Sequence, residues 1–326
     1  MATVAREDEE EKTQPQITNS KVLVIGATGR LGQQLVKASL AAGHPTFILV
    51  REIASPRAER SLLLRSFANS GVTAIKGSLQ DYTSLLEAVK QVDVIICAVP
   101  SSEVLQQRLL IHVIKEAGCI KRFIPSEFGA DPDKVQILGM DYDFYEKKAE
   151  IRRCIEKEDL PHTYICCNFF QRSLLPSLAQ PGLKAPPRDK VHIFGEGNIK
   201  AVFVDEKDVA TFTICAIGDS RTLNKTVYLR PPGNVCSQNE LVEAWEVKMG
   251  KKLAKDYVTE EQLLRSIHET PYPNNMDLIF IYSAFVKGDH TYFGIDSSSL
   301  DGSKLYPHVR CKTVDEYLGT LLDKTN

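Results

Sequence analysis

Apolar and polar positions along this chain follow a repeating order: a short unbroken run of Val, Ile and Leu, a glycine or serine, then about three turns of amphipathic spacing. Runs of the first kind are what a parallel sheet buries on both faces, and the second kind reads as helix. The first run, VLVIGATGRLG at 22–32, breaks at Gly26, Ala27, Thr28, Gly29, Arg30, Leu31 and Gly32. Leu35, Val36 and Leu40 then recur at helical spacing, and Gly43 is placed to end that helix. Further apolar runs at 46–50, 72–76 and 92–99, and one ending at Phe123 and Ile124, alternate with helical patterns at 59–69, from Asp81 or Thr83 through Val89, and at 103–117.

Four strand–helix repeats in succession predict an α/β architecture, a doubly wound parallel sheet of the Rossmann-like kind. Ligand chemistry then belongs at the carboxyl ends of the strands, near the glycine turn, Arg51, residues 99–102 and residues 125–129. After a helix at 144–157 and the strand-like HTYICCNFF, the pattern changes. The proline-rich LLPSLAQPGLKAPPRDK at 174–190 reads as a loop or lid. Short strands at 191–194, 201–204 and 225–229 and helices at 238–249, 260–267 and 314–322 suggest a smaller C-terminal α/β region.

Composition narrows the partners. With 326 residues, 43% hydrophobic, 25% charged and a net charge of −2, the chain has no nucleic-acid footprint and no basic membrane face. Its eight cysteines lack a CxxC pair and read as reduced thiols in a cytoplasmic protein. Residues 1–20 carry the acidic run Glu7, Asp8, Glu9, Glu10 and Glu11 and read as a disordered tail, neither signal nor transit peptide. No run reaches the length of a membrane span. The histidines are dispersed without HxH or HExxH, so no metal site is expected.

A turn without Cβ atoms, opening a helix, lets backbone N–H groups approach a pyrophosphate. Arg51 closes the second apolar run where an NAD site places an acid for the ribose hydroxyls, and a guanidinium there suits the 2′-phosphate of NADP. This gives three parts: the tail at 1–20, an NADP-binding domain at 21–165 and a substrate-binding region at 166–326. A nicotinamide enzyme also needs a proton donor or acceptor, and the YxxxK turn of typical short-chain dehydrogenases is missing: four residues after Tyr142 and Tyr145 stand Glu146 and Ala149. FYEKKAEIRR offers Lys148 and Arg152 on one helix face, beside Ile151 and Ile155. A lysine next to an arginine, with its stem in an apolar wall, loses its proton more easily and suits a base near neutral pH. On charge pattern alone, Lys147, Lys148, Arg152 and Arg153 also read as a solvated face. Asn168, Phe169 and Phe170 are candidates for a flat aromatic pocket, with core packing the competing reading. His112 reads as structural.

GATGRLG, KRFIPSEFG, FYEKKAEIRRCIE, LPSLAQPGLKAPPRDKV, FVKGDHTYF and LYPHVRCKTVDEYL resemble the plant isoflavone reductase-like family, atypical NmrA-like short-chain dehydrogenases, over nearly everything after residue 20. Within it the later segments are most similar to phenylcoumaran benzylic ether reductases. The resemblance implies an NADPH-dependent oxidoreductase with Lys148 as catalytic base, the 26–32 turn around the pyrophosphate, Arg51 on the 2′-phosphate, Arg60 as a second basic residue, and Arg152 as a cofactor contact. It implies a small phenolic substrate and leaves a homodimer open. Pinoresinol/lariciresinol, isoflavone or leucoanthocyanidin reduction and phenylpropene synthesis share the pattern, and an NADP-sensing NmrA-like regulator is the non-enzymatic reading. Ala130 and Tyr282 stand where some relatives carry histidine, which leaves substrate choice open.

Overall fold

The computed structural model describes residues 19–52, 58–296 and 298–322, so the acidic run at 7–11 and the Ser55-Pro56 loop lie outside it. The first half runs β1 (Val22–Ile25), α1 (Arg30–Ala41), β2 (Thr46–Val50), α2 (Ala58–Asn69), β3 (Thr73–Lys76), α3 (Tyr82–Val89), β4 (Val94–Cys97), α4 (Gln107–Ala117) and β5 (Arg122–Ile124). The strands form a parallel sheet in the order β3-β2-β1-β4-β5. β1 and β4 are buried at every position, as apolar strands covered on both faces must be. The helix expected from 103 is α-helical only from Gln107, because residues 101–106 tighten into a 3₁₀ turn after Pro100.

The chain continues with α5 (Phe144–Lys157), β6 (Thr163–Cys166), β7 (Phe169–Phe170), α6 (Gln171–Leu174), β8 (Lys190–Phe194), β9 (Lys200–Val204), α7 (Glu206–Ile217) and β10 (Lys225–Tyr228). It ends with β11 (Val235–Ser237), α8 (Gln238–Met249), β12 (Ala254–Val258), α9 (Glu260–Glu269), α10 (Met276–Ile281), β13 (Ser299–Asp301), α11 (Gly302–Leu305) and α12 (Val314–Leu322). Here the structure departs from a simple division at 165/166. That point lies inside β6, and β6, β10 and β13 pair in parallel. They prolong the first sheet, since Phe123 N–H donates to Pro161 O at 2.8 Å and Phe123 bridges to His162. α7 packs along α1, with Val209 and Phe212 in one core with Leu35 and Val36. Residues 206–229 and the β13 segment thus belong with the sheet and core of the first half.

The second half has its own core around Trp245, Phe285, Leu263 and Leu318, under α8, α9 and α12. Capping boxes at Ser237 with Glu240 and at Thr259 with Gln262 start α8 and α9. The proline-rich segment is not a free lid. Gln180 pairs through its side chain with both N–H and C=O of His192, and Trp245 Nε1 donates to Pro187 O at 3.0 Å.

Arg122 joins the two stretches of the long sheet. Its buried guanidinium donates to Thr163 Oγ1 and Thr222 Oγ1, both at 2.7 Å, and to the Ala216 and Asp219 carbonyls. Replacing it by Met fills the space but removes four buried hydrogen bonds from a charged donor, at a cost of about 2–3 kcal/mol. Urea unfolding of Arg122→Met should show that loss, and an unchanged midpoint would remove Arg122 from this role.

Candidate active site

At the end of β1 the chain turns at Gly26 with φ +85°, and a Cβ there would lie 2.3 Å from Ala98 O. A Cβ on Gly32 would lie 2.1 Å from Gly26 O, so both positions need glycine to let α1 sit this close to the sheet. No side chain caps the start of α1 and no acid stands in its first turn. The free N–H groups and the positive end of the helix dipole face outward over the strand ends.

Three adjoining cavities follow this edge. The first, about 330 Å³, runs past Gly26, Thr28 and Gly29 to Arg51, Arg60 and Ser78. The second, about 560 Å³, shares Gly29 and residues 98–100 with it and reaches Ser126, Phe128 and Lys148. The third, about 290 Å³, shares Phe128, Phe144, Lys148 and Phe170 with the second and is closed by Asn168, Phe169 and Phe280. The first two together run from the glycine turn to Arg51 and Arg60, which stand at the far end on a wall shared with Glu103 and in no ion pair among the described residues. Arg60 Nε is buried with no hydrogen-bond partner among the described residues, as a group awaiting an anion is.

Lys148 forms the wall between the second and third cavities. It projects from α5, is 6% exposed, and donates from Nζ to the Glu127 carbonyl at 2.6 Å. The Phe144 ring lies 4.4 Å from the amine. Burial pulls its pKa down to about 8, opposed chiefly by the charge of Glu127. Of the two expected causes the apolar wall does most of the work, as desolvation, and Arg152 adds the least of the main contributions. Nor is the helix face solvated at this point, although Arg153 on the next turn is exposed.

Arg152 is placed differently from the expected cofactor contact. Its guanidinium grips Glu127 through Nε and Nη2 at 2.7 and 2.6 Å, and Nη1 bonds Asp131 at 2.7 Å and Asp133 at 3.0 Å. It is 2% exposed and lines none of the three cavities. With its donors engaged by carboxylates, it holds the segment after β5 against α5 and leaves nothing for a coenzyme. Asp131 also accepts from the Tyr228 hydroxyl, which ties in β10.

Several lining residues had no signal in the sequence. Arg172 and Glu206, paired across the second cavity, come from α6 and the start of α7, and Phe280 comes from α10. Ser126 Oγ donates to Val99 O at 2.8 Å and fixes the exits of β4 and β5 together. Ala130 lines the third cavity, whereas Tyr282 is buried elsewhere with its hydroxyl on Glu260, and His112 lies on the exposed face of α4. Among the described residues no group of three His, Cys, Asp or Glu could hold a metal, and no helix is long and apolar enough to cross a membrane.

A glycine turn at an uncapped helix start, a cleft along the strand ends and a buried amine midway define a dinucleotide-dependent oxidoreductase. The chain belongs to the NmrA-like family, whose model matches residues 18–318. It is 60% identical over 304 residues to a probable pinoresinol-lariciresinol reductase of Arabidopsis thaliana, covering 93% of this chain and 98% of that one. With a phenylcoumaran benzylic ether reductase of Ginkgo biloba it shares 53% over 299 residues, 92% and 98% of the two chains. A solved complex of AtPrR2 with NADP+ and (+)pinoresinol superposes with a TM-score of 0.88 at 39% identity, covering 93% of this chain and 99% of that one.

Removing the Arg152 guanidinium leaves Glu127 and Asp131 buried without their cation, at a cost of about 3–5 kcal/mol. Arg152→Met should therefore melt far below the wild type, while coenzyme affinity of the folded fraction, read by fluorescence titration, stays the same. A large affinity loss in a variant of normal stability would restore the role as a contact.

Proposed function

We propose that this protein is an NADPH-dependent reductase of phenylpropanoid-derived substrates that opens a benzylic ether bearing a para-hydroxyphenyl ring, with phenylcoumaran lignans as its substrates. The observation that carries the reading is the Lys148 amine, buried between the coenzyme cleft and an aromatic-lined cavity, with its pKa brought to about 8. Solved relatives bound to NADP+ and to NADPH support the choice of coenzyme.

When bound, NADPH supplies a hydride to the benzylic carbon. The chain does the rest. Gly26, Ala27, Thr28, Gly29, Arg30, Leu31 and Gly32 supply the pyrophosphate cradle, and Arg51 with Arg60 takes the 2′-phosphate. Neutral Lys148 accepts the phenolic proton, the O–H pair pushes through the ring, the benzylic C–O bond breaks with its pair on the ether oxygen, which takes a proton from solvent, and a quinone methide results. The phenolate regenerated on reduction takes its proton back from Lys148. Phe169, Phe170 and Phe280 supply flat walls that hold the ring and exclude water. Glu127 O receives an N–H of Lys148 and keeps the amine at the cavity wall throughout.

A second reading, reduction of pinoresinol or lariciresinol, draws on the 60% identity with the Arabidopsis relative. Both reactions open a benzylic ether para to a phenol, so the same base serves either. Parallel assays with dehydrodiconiferyl alcohol and pinoresinol separate them: ring-opened product from the first alone supports the phenylcoumaran reading, and product from pinoresinol alone replaces it.

Two outcomes test the assignments. Lys148→Ala should lose turnover by at least about 100-fold with NADPH binding intact, and wild-type kcat/KM should climb as pH rises through about 8 and level off above it, because only the neutral amine accepts a proton. A flat profile between pH 6 and 9 would falsify the base. Arg51→Ala should weaken NADPH by roughly tenfold and leave NADH unaffected, as expected for one lost charge-assisted phosphate contact. Equal preference for the two coenzymes in the wild type would show that Arg51 meets no phosphate.

A further inference from the structure

One buried polar side chain in the inner cavity has no partner. Asn168 follows β6, is 6% exposed and lines the third cavity beside Lys148. Its Nδ2 is closed to solvent and has no hydrogen-bond partner among the described residues, so the amide is free to turn about its Cβ–Cγ bond toward a ligand in the cavity. Its backbone stands at φ +58°, in the left-handed region. Glycine there would relieve both the strained backbone and the unpaired amide, so the asparagine costs stability on two counts. Such a cost at a cavity wall is accounted for by a ligand that supplies the missing acceptor.

The surroundings say which acceptor. Phe128, Phe144, Phe169, Phe170, Leu174 and Phe280 make the wall largely apolar. Besides Lys148 and Asn168, only Tyr145, Ser173 and Asp277 among the described residues bring polar side chains to it, so an oxygen carried in on an aromatic ring finds few donors. Asn168 N–H donates to Gly129 O at 2.9 Å, and a Cβ on Gly129 would lie 3.2 Å from Lys148 Nζ. The Asn168 backbone and the Lys148 amine thus both lie against Gly129, which brings the two side chains to one stretch of the cavity wall.

We propose that Asn168 donates from Nδ2 to the phenolic oxygen whose proton Lys148 accepts, so that the two side chains form a two-point seat for the para-hydroxyl of an aromatic substrate. This rests on the reading of Lys148 as base. In the transfer the phenolic O–H bond breaks, its electron pair stays on oxygen, and the proton bonds to the Nζ lone pair. The amide bond to oxygen strengthens as the charge appears, roughly doubling against a neutral acceptor, so the amide lowers the barrier more than it tightens binding. It also selects for rings with an oxygen at that position, because any other substituent leaves the amide buried and unpaired.

The test uses enzyme loaded with NADP+ and titrated with 4-hydroxy-3-methoxybenzaldehyde, whose phenolate is distinguished by its absorbance, alongside turnover of dehydrodiconiferyl alcohol. In the wild type the bound phenol should ionise at lower pH than the free one. Asn168→Gly keeps the left-handed backbone and removes the amide. It should raise that ionisation midpoint by about one pH unit and cut kcat roughly tenfold, with NADPH affinity unchanged. Asn168→Asp keeps the volume but adds an anion. It should move the midpoint further the same way and shift the rising limb of the kcat/KM profile to higher pH, since a carboxylate beside Lys148 stabilises its ammonium. Wild-type values of both midpoint and kcat in Asn168→Gly overturn the proposal while Lys148 keeps its role. Full turnover in Lys148→Met overturns the base assignment, and this proposal with it.

Discussion

The site depends on one ion pair. Glu127 and Arg152 are both nearly inaccessible to solvent, and their two-point contact clamps the peptide leaving β5 against the inner face of α5. Neither charge would be tolerated alone in that position, because an isolated buried ion is worth several kcal/mol of penalty. Burial lifts the Glu127 carboxyl above its usual range, and the guanidinium works against that rise. What the clamp delivers is geometric: the carbonyl of the same Glu127 faces the amine one helical turn before Arg152. The position of Lys148 is set by a backbone atom whose own position is set by the next turn of the helix.

That arrangement also explains how the lysine is tuned without being neutralised. Dehydration by Phe144 and the surrounding wall pushes the amine toward its neutral form, while Glu127 pulls the other way. With the carboxylate turned to Arg152, its charge is largely balanced locally, and burial prevails. Were Glu127 unpaired and aimed at Lys148, the amine would remain an ammonium at neutral pH and could accept nothing. The arginine thus supports the lysine by occupying its rival, which differs from the direct cation–cation repulsion that their spacing on the helix suggests.

Much of this was legible in the sequence, for definite reasons. A glycine turn between an apolar run and an amphipathic one has few alternatives, and α5 begins and ends at 144 and 157 as the periodicity implies, since Ile151 and Ile155 mark its buried face. α7 left no comparable trace. It is covered by α1 and by β6 and is buried on most sides, so it shows no clean amphipathic stripe, and Val209, Thr211, Thr213 and Ile214 give it the look of a strand. For the same reason the prolongation of the sheet by β6, β10 and β13 escaped notice: pairing between strands far apart in sequence is a tertiary choice. Arg152 shares a face with Lys148, as the spacing predicts, but its donors go to three acids and it lines none of the three cavities. Spacing on a helix fixes direction to within a quarter turn, and the acids that capture this guanidinium lie about 20 residues away in a loop with no periodicity to announce it.

The strain in the molecule is distributed to match. Phe128 and Asn168, neither of them glycine, both stand at positive φ on either side of the hydrogen bond from Asn168 N–H to Gly129 O. These two loops leave the carboxyl ends of β5 and β6, strands that are joined near their starts by the Phe123–His162 bridge, the Phe123 N–H on Pro161 O and the Arg122 side chain. The third cavity is lined from both loops, by Phe128, Gly129 and Ala130 on one side and Asn168, Phe169 and Phe170 on the other. Two non-glycine residues held at positive φ where a ring would sit beside the amine place the backbone cost at the site itself, and the hydrogen bond between the loops with the Arg152 cluster behind them holds that geometry.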